Sequence, residues 1–333
     1  MPITRSQFLK LMAGIASGLL FPPSRAGTAD MSPRVFKSRK QTAPITPVEE
    51  FYVEDISGPP ASLKRGPQGW RLAVNGKVDN PLVLDYARVL ARPSVKRIIT
   101  LSCIGNPVGG HAMGTAEWEG IPLGELIKES RPHFFAGGLV FKGEDGYQDA
   151  IPLKDAFHPG ALLAYKMNGQ PLPLEHGFPL RLLVPGYFGI KQAKWVREIE
   201  AVRDAPQGYW QKRGWSEKAK VKVFSRIDWP ENGEWLFARS AALRGVAFAG
   251  DRGIQYVEVS ADGEKTWTLA DLSPPLSEYA WTLWSFTCAF PKAGVYRLAV
   301  RAADRYSGRQ EEGPRDPFPS GASGIHRIEV NVA

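Results

Sequence analysis

From about Val221 onward the chain is cut into short β-forming runs separated by turn signals, and that pattern allows few folds. The runs are Val221–Ile227, Gly245–Ala249, Ile254–Ser260, Thr282–Phe290, Val295–Ala302 and Ile325–Val332, with Asp262-Gly263 marking a tight hairpin. Each is too short for a stable helix and too regularly spaced for a helical layer. Such spacing predicts an immunoglobulin-like sandwich of about 100 residues. Within Thr282–Phe290, Trp284, Phe286, Cys288 and Phe290 share one face, so Cys288 reads as a core residue without chemistry.

The preceding part is less regular. Trp70 to Val78 alternates, with a hairpin signal at Asn75-Gly76; Asp85 can cap a short helix to Leu90, stopped by Pro93; Pro122 opens another, to Glu129. Short strands follow at Leu139–Lys142, Leu162–Met167 and Leu180–Val184, with a second turn signal at Asn168-Gly169. The expected class is therefore α+β: a mixed domain over residues 30–216, then an all-β domain over 217–333. Residues 1–29 read as an export signal directing the protein to the periplasm. Arg5 and Lys10 precede an apolar run from Leu11 to Phe21, and small residues lie around Ala26 to Ala29. The start resembles a twin-arginine signal with Ser6 where the second arginine belongs. Residues 30–68 read as an extended arm.

Composition narrows the function. The 333 residues carry a net charge of +8, dispersed without a basic stripe, which excludes a nucleic-acid binder and suits anionic ligands. Two cysteines exclude a disulfide scaffold and a four-cysteine zinc site, and the five histidines show no HExxH spacing.

Two dense stretches carry the chemistry. In the first, the β-branched run Val95 to Thr100 leads into Leu101-Ser102-Cys103-Ile104-Gly105-Asn106-Pro107-Val108-Gly109-Gly110, a strand delivering one cysteine onto a tight loop. A single cysteine is usually a small buried hydrophobe; a thiolate on rigid backbone is also a good soft metal ligand. In the second, from Leu163 to Trp195, His176, Arg181, Lys191 and Lys194 converge around Gly-rich turns, where backbone amides and cations can meet an anion. The residues alone suggest a phosphate- or pterin-type site; the alternative is a solvated basic loop, against which the interleaved aromatics and prolines argue.

Taken together, Cys103-x-Gly105-Asn106, Trp118-x-Gly120-x-Pro122-Leu123, Leu163-Ala164-Tyr165-x-Met167-Asn168-Gly169, His176-Gly177-Phe178-Pro179-Leu180-Arg181 and Lys194-Trp195 resemble the sulfite oxidase family of molybdopterin enzymes over residues 48–210. Val257 to Gly263 and Arg301-Ala-x-Asp304 resemble that family's dimerisation domain. The resemblance implies a mononuclear molybdenum held by a pyranopterin dithiolene and the Cys103 thiolate. It implies cofactor contacts from His176, Arg181 and Lys194, with Phe51, Asp145 and Lys191 also counted among the cofactor residues. It further implies oxygen-atom transfer on a small molecule and a homodimer through the C-terminal domain. No Cys-x-x-Cys-His occurs, so a separate electron carrier is expected, a c-type cytochrome or a membrane redox subunit.

The departures concern substrate. Pro107-Val108 stand where the family has two arginines, Glu54 follows Phe51-Tyr52-Val53 where it has another, and Trp215 follows Trp210-Gln211-Lys212-Arg213 where it has a tyrosine. Glu54, Lys212, Arg213 and Trp215 are thus the expected pocket wall, with Cys103, Glu54, Arg213 and Trp215 as the expected catalytic set. Sulfite, a small dianion, suits this wall poorly. Two further classes stay open: a non-catalytic binding or assembly protein using the sandwich, and a zinc or cysteine-nucleophile hydrolase.

Overall fold

Asp85 shows how locally the first part is specified. Its side chain accepts the Arg88 N–H at 2.9 Å and starts α1, Tyr86–Leu90. Pro122 opens α2, Leu123–Ser130, whose buried Leu123, Leu126, Ile127 and Ser130 form one stripe against the core. The computed structural model describes residues 42–306 and 308–333, so the export signal expected over residues 1–29 lies outside the described residues.

The strands of the first part are β1 (Arg71–Gly76), β2 (Leu82–Asp85), β3 (Val95–Ser102), β4 (Met113–Pro122), β5 (Gly138–Gly143), β6 (Gln148–Pro152), β7 (Leu162–Met167), β8 (Gln170–Pro171), β9 (Arg181–Leu183) and β10 (Val196–Val202). They make two sheets, ordered β2-β1-β10-β5-β6 and β3-β4-β7-β8, with β9 also paired to β7. At Asn168-Gly169 both residues have positive φ, 50° and 78°, and Met167 pairs with Gln170, giving the two-residue hairpin the sequence predicts. Asn75-Gly76 behaves differently. Both stay in β1 because they pair in parallel with Glu200 and Ala201 of β10, and the chain turns only after them.

The second part is a two-sheet sandwich. Its strands are β11 (Phe224–Trp229), β12 (Trp235–Leu236), β13 (Ser240–Phe248), β14 (Ile254–Ser260), β15 (Thr268–Leu269), β16 (Asp271–Leu272), β17 (Thr282–Ala289), β18 (Gly294–Asp304) and β19 (His326–Val332). The sheets are β11-β13-β17-β16 and β12-β19-β18-β14-β15, and their inner faces share one core, including Leu243, Trp284 and Cys288 from one and Val257, Val300 and Val330 from the other. Cys288 is thus a core residue, as its face predicts.

The α+β expectation needs correcting: the described residues are mostly sheet, with two α-helices of five and eight residues. The segments that follow Pro60, Pro152 and Pro173 close as short 3-10 turns of three to five residues. The run predicted at Val221 starts as a strand only at Phe224. Val221 is instead buried beside Ile104, Met113, Phe188 and Ile190 of the first part and Val246, Phe248 and Trp281 of the sandwich. That shared cluster joins the two parts; burying one side chain such as Phe248 is worth about 2 kcal/mol.

Candidate active site

Beyond β3 the chain leaves its sheet and folds into a self-closed loop. The Cys103 N–H donates to Ala112 O (2.9 Å), the Asn106 N–H to Cys103 O (3.2 Å), and Asn106 Oδ1 accepts the Ala112 N–H (2.9 Å). These bonds fix Cys103 in the wall of a cleft with a cavity volume of about 60 Å³. The Gly105 N–H donates to Sγ at 3.4 Å. Burial, with a smaller push from the Glu54 carboxylate, nevertheless raises the thiol to about 12. A cysteine nucleophile needs its thiolate near neutral pH, so the hydrolase reading loses support; a metal would displace this proton on binding.

Arg181 is the second fixed point. Projecting from β9, it is 6% exposed and lies beside the Trp118 ring, 5.6 Å from its centroid. One Nη1–H donates to His176 O at 3.0 Å, its buried Nε has no partner, and no carboxylate pairs with it among the described residues. Burial lowers it to about 10, so it stays charged. A buried, unpaired cation is costly and is stable only where an anion completes the site. The Tyr52 hydroxyl, on the same cleft, is also buried without a partner.

Lys194 and His176 share this wall. Gly177 lets Lys194 and Arg181 come close: at φ +115° it leaves room where a Cβ would sit 3.1 Å from Lys194 Cβ and 3.2 Å from Arg181 Cβ. Lys194 Nζ donates to Glu175 O (2.9 Å) and lies 3.4 Å from Asp55 Oδ2. Burial and Arg181 lower it to about 8 while Asp55 opposes them. Burial, then Arg181, lowers His176 to about 4, which keeps its ring neutral near pH 7; Nε2 lies 3.4 Å from Val48 O. Phe51 does not line the cleft but backs it, edge-on to His176 at 5.6 Å.

Glu54 and Asp145 line the cleft as carboxylates. Burial raises both, with Asp55 adding to the effect on Glu54 and the Tyr147 N–H (3.0 Å to Asp145 Oδ1) opposing it on Asp145. Asp55 and Glu175 also line it, so four carboxylates face two cations, Arg181 and Lys194.

Four expected residues, Lys191, Lys212, Arg213 and Trp215, are not brought to the cleft. Lys191 turns away into a buried ion pair with Asp149 (2.7 Å) and donates to Ala150 O (3.0 Å), because the 3-10 turn Gly189–Lys191 leaves Ile190 and Gln192 facing the cleft instead. Arg213 is exposed, stacked 3.5 Å over the Tyr209 ring. Trp215 is half-buried, edge-on to Phe318 at 5.3 Å. The turn Gln211–Arg213 sends Gln211 inward to Asp149 and leaves Lys212 and Arg213 outside, while Trp210 lines the cleft. The sequence reading missed Tyr52, Asp55, Gln192 and Trp210. Their signal was adjacency to residues it did choose.

Comparison with known proteins follows the two-part fold. Residues 58–210 match the oxidoreductase molybdopterin binding domain, and residues 218–314 match the Mo-co oxidoreductase dimerisation domain. The chain is 30% identical to sulfite oxidase of Gallus gallus over 308 residues, covering 78% of this chain and 66% of that protein. It is 32% identical to the mitochondrial sulfite oxidase of Homo sapiens over 259 residues (62% and 46%). With the NADPH nitrate reductase of Aspergillus niger, identity is 27% over 347 residues (82% and 40%). The chain thus spans under half of the human and Aspergillus proteins. Among solved structures, the sulfane dehydrogenase SoxCD from Paracoccus pantotrophus superposes with a TM-score of 0.76 at 22% identity, covering 87% of this chain and 82% of that one.

Proposed function

Because the chain belongs to the sulfite-oxidase-like molybdopterin oxidoreductases, we propose that it is an exported enzyme of oxygen-atom transfer with Cys103 Sγ as the protein's ligand to a mononuclear molybdenum. The observation that carries this reading is the buried Arg181 guanidinium, with an unpartnered Nε and no carboxylate, on the cleft that Cys103 also lines. One thiol and an unmatched cation suit a group that brings its other metal donors and an anionic end. No cluster of three or more His, Cys, Asp or Glu able to hold a metal occurs among the described residues, so those donors would come with the pyranopterin. When bound, the molybdenum cofactor supplies two-electron exchange and oxygen-atom transfer.

The chain's own residues hold and orient it. Arg181 and Lys194 would neutralise its anionic end, the Tyr52 hydroxyl would be free to donate to it, and neutral His176 and Asp145 would offer it polar contacts. Glu54 stands beside Cys103 and disfavours small anions there, so the substrate is a neutral or weakly charged organic oxide such as a sulfoxide. In that direction a sulfoxide, two electrons and two protons give a sulfide and water. Electrons come from a separate carrier, a c-type cytochrome or a membrane redox subunit, since the sequence has no site for covalent haem. A sulfite dehydrogenase feeding such a cytochrome is the second reading, supported by the named relatives.

The test is metal and pterin content of the purified protein. About one molybdenum and one pterin per chain is expected; a chain with neither is a binding or assembly protein. Arg181→Met should lower cofactor affinity about 10–100-fold.

We also read the sandwich as the immunoglobulin-like dimerisation domain. Trp235 and Phe237 are 60% and 84% exposed around a recess with Trp229 and Arg244, which suits a second copy. Phe237→Glu should convert dimer to monomer by light scattering without changing molybdenum content.

A further inference from the structure

The Cys103 loop is held on two sides. Its inner side is closed by Asn106. Its outer side rests on the sandwich, where Gly110 O accepts a hydrogen bond from Arg226 Nη1 at 2.6 Å. Arg226, on β11, is 3% exposed, and its Nε donates to Asp228, 5% exposed, whose other oxygen accepts from the Thr42 hydroxyl. One residue away, the His326 ring lies against Gly109. A Cβ on Gly109, which has φ +76°, would sit 2.4 Å from His326 Nε2. His326 Nδ1 accepts the Ile227 N–H at 3.0 Å, which ties the ring to β11 as well.

A buried ion pair adds little net stability over well-packed apolar residues. Here one arm of the guanidinium is fixed by Asp228 while the other fixes a main-chain oxygen seven residues after Cys103. The planar guanidinium presents these donors in one fixed geometry, which a lysine's rotating ammonium does not. We propose that Arg226 and His326 are positioning residues that hold the Cys103 loop from the sandwich, so that the C-terminal domain sets the thiol as well as pairing subunits. The proposal rests on Cys103 being the metal's thiolate ligand.

The experiment uses the full chain freed of cofactor and follows iodoacetamide labelling of Cys103 and Cys288 by peptide-resolved mass spectrometry. Cys288, in the sandwich core, is the internal control. In the double variant R226M/D228N, which leaves no buried charge unpaired, Cys103 labelling should rise about tenfold, the effect of easing local opening by one decade, while Cys288 stays at the wild-type rate. R226K should fall between. Unchanged Cys103 labelling, or both thiols rising together as in general loosening, overturns the proposal.

If the double variant does not fold, His326→Ala decides by the same two thiols, with a selective rise at Cys103 expected. Hydrogen exchange on the unmodified protein needs no variant: amides from Cys103 to Ala112 should open with β11, and their independent exchange would overturn the proposal. None of these measurements needs the metal. Failure to find molybdenum would therefore sink the functional reading separately from this one.

Discussion

Cys103→Ser is expected to abolish turnover, by at least ~10³-fold, while the protein remains folded. A hydroxyl is a poor donor to a soft metal and does not lose its proton as a thiol does, so both ligand strength and metal potential change. The fold should survive because the loop is closed by main-chain bonds of Cys103 and by Asn106, none of which uses Sγ. The Gly105 N–H, now 3.4 Å from Sγ, can donate to Oγ instead. Cys288→Ser is the contrasting case. It puts a hydroxyl among Leu243, Val300 and Trp284, 2% exposed, and should cost about 1–3 kcal/mol of stability with activity unchanged. Steady-state turnover and melting temperature of the two variants separate the roles. Wild-type turnover in Cys103→Ser would end the assignment.

What the sequence made legible was what local chemistry decides. The Cys103 loop was visible because a β-branched run ends abruptly in Gly, Asn and Pro, and the bonds that close it on itself all lie within ten residues. The two-residue turn at Asn168-Gly169 and the cap at Asp85 were visible for the same reason. Arg181 and Lys194 were visible as cations among glycines and aromatics. Lys191 has the same local signature, and only the partner on β6, Asp149, takes it out of the cleft. Arg213 and Trp215 failed likewise: one turn of 3-10 helix decides which side faces inward, and that depends on the buried Asp149 accepting from Gln211. For Tyr52 the sequence offered only its place beside Phe51, because lacking a hydrogen-bond partner is a property of the packed surroundings, not of the residue. Ser240 to Arg244 were missed as strand because alanine is a weak β-former; pairing with β17 overrides it. The hold of Arg226 on Gly110 spans 116 residues and leaves no local trace.

Charge in the wall of the cleft should select the substrate. Under the proposed function the two cations, Arg181 and Lys194, would be engaged by the cofactor, which leaves Glu54 as the charge acting on Cys103. Its carboxylate is close enough to push the Cys103 thiol upward, and burial makes it easier to protonate than an exposed glutamate. A dianion such as sulfite must shed strongly held water to enter and then meets like charge. At an effective dielectric near 20, one unit charge at about 4 Å is worth about 4 kcal/mol, and a longer path or added screening cuts that by half or more. The wild-type protein should therefore turn over a neutral sulfoxide with a reduced dye and oxidise sulfite poorly, with a KM above about 1 mM. Glu54→Arg reverses the charge and should raise kcat/KM for sulfite by ~10²–10³-fold while changing that for the sulfoxide by less than ~10-fold; Glu54→Gln should lie between on sulfite. The pairing with a neutral substrate matters, since a damaged site would lower both. Micromolar KM for sulfite in the wild-type protein, or a Glu54→Arg variant no better on sulfite than its parent, would show that other cations rebuild an anion pocket and that Glu54 does not choose the substrate.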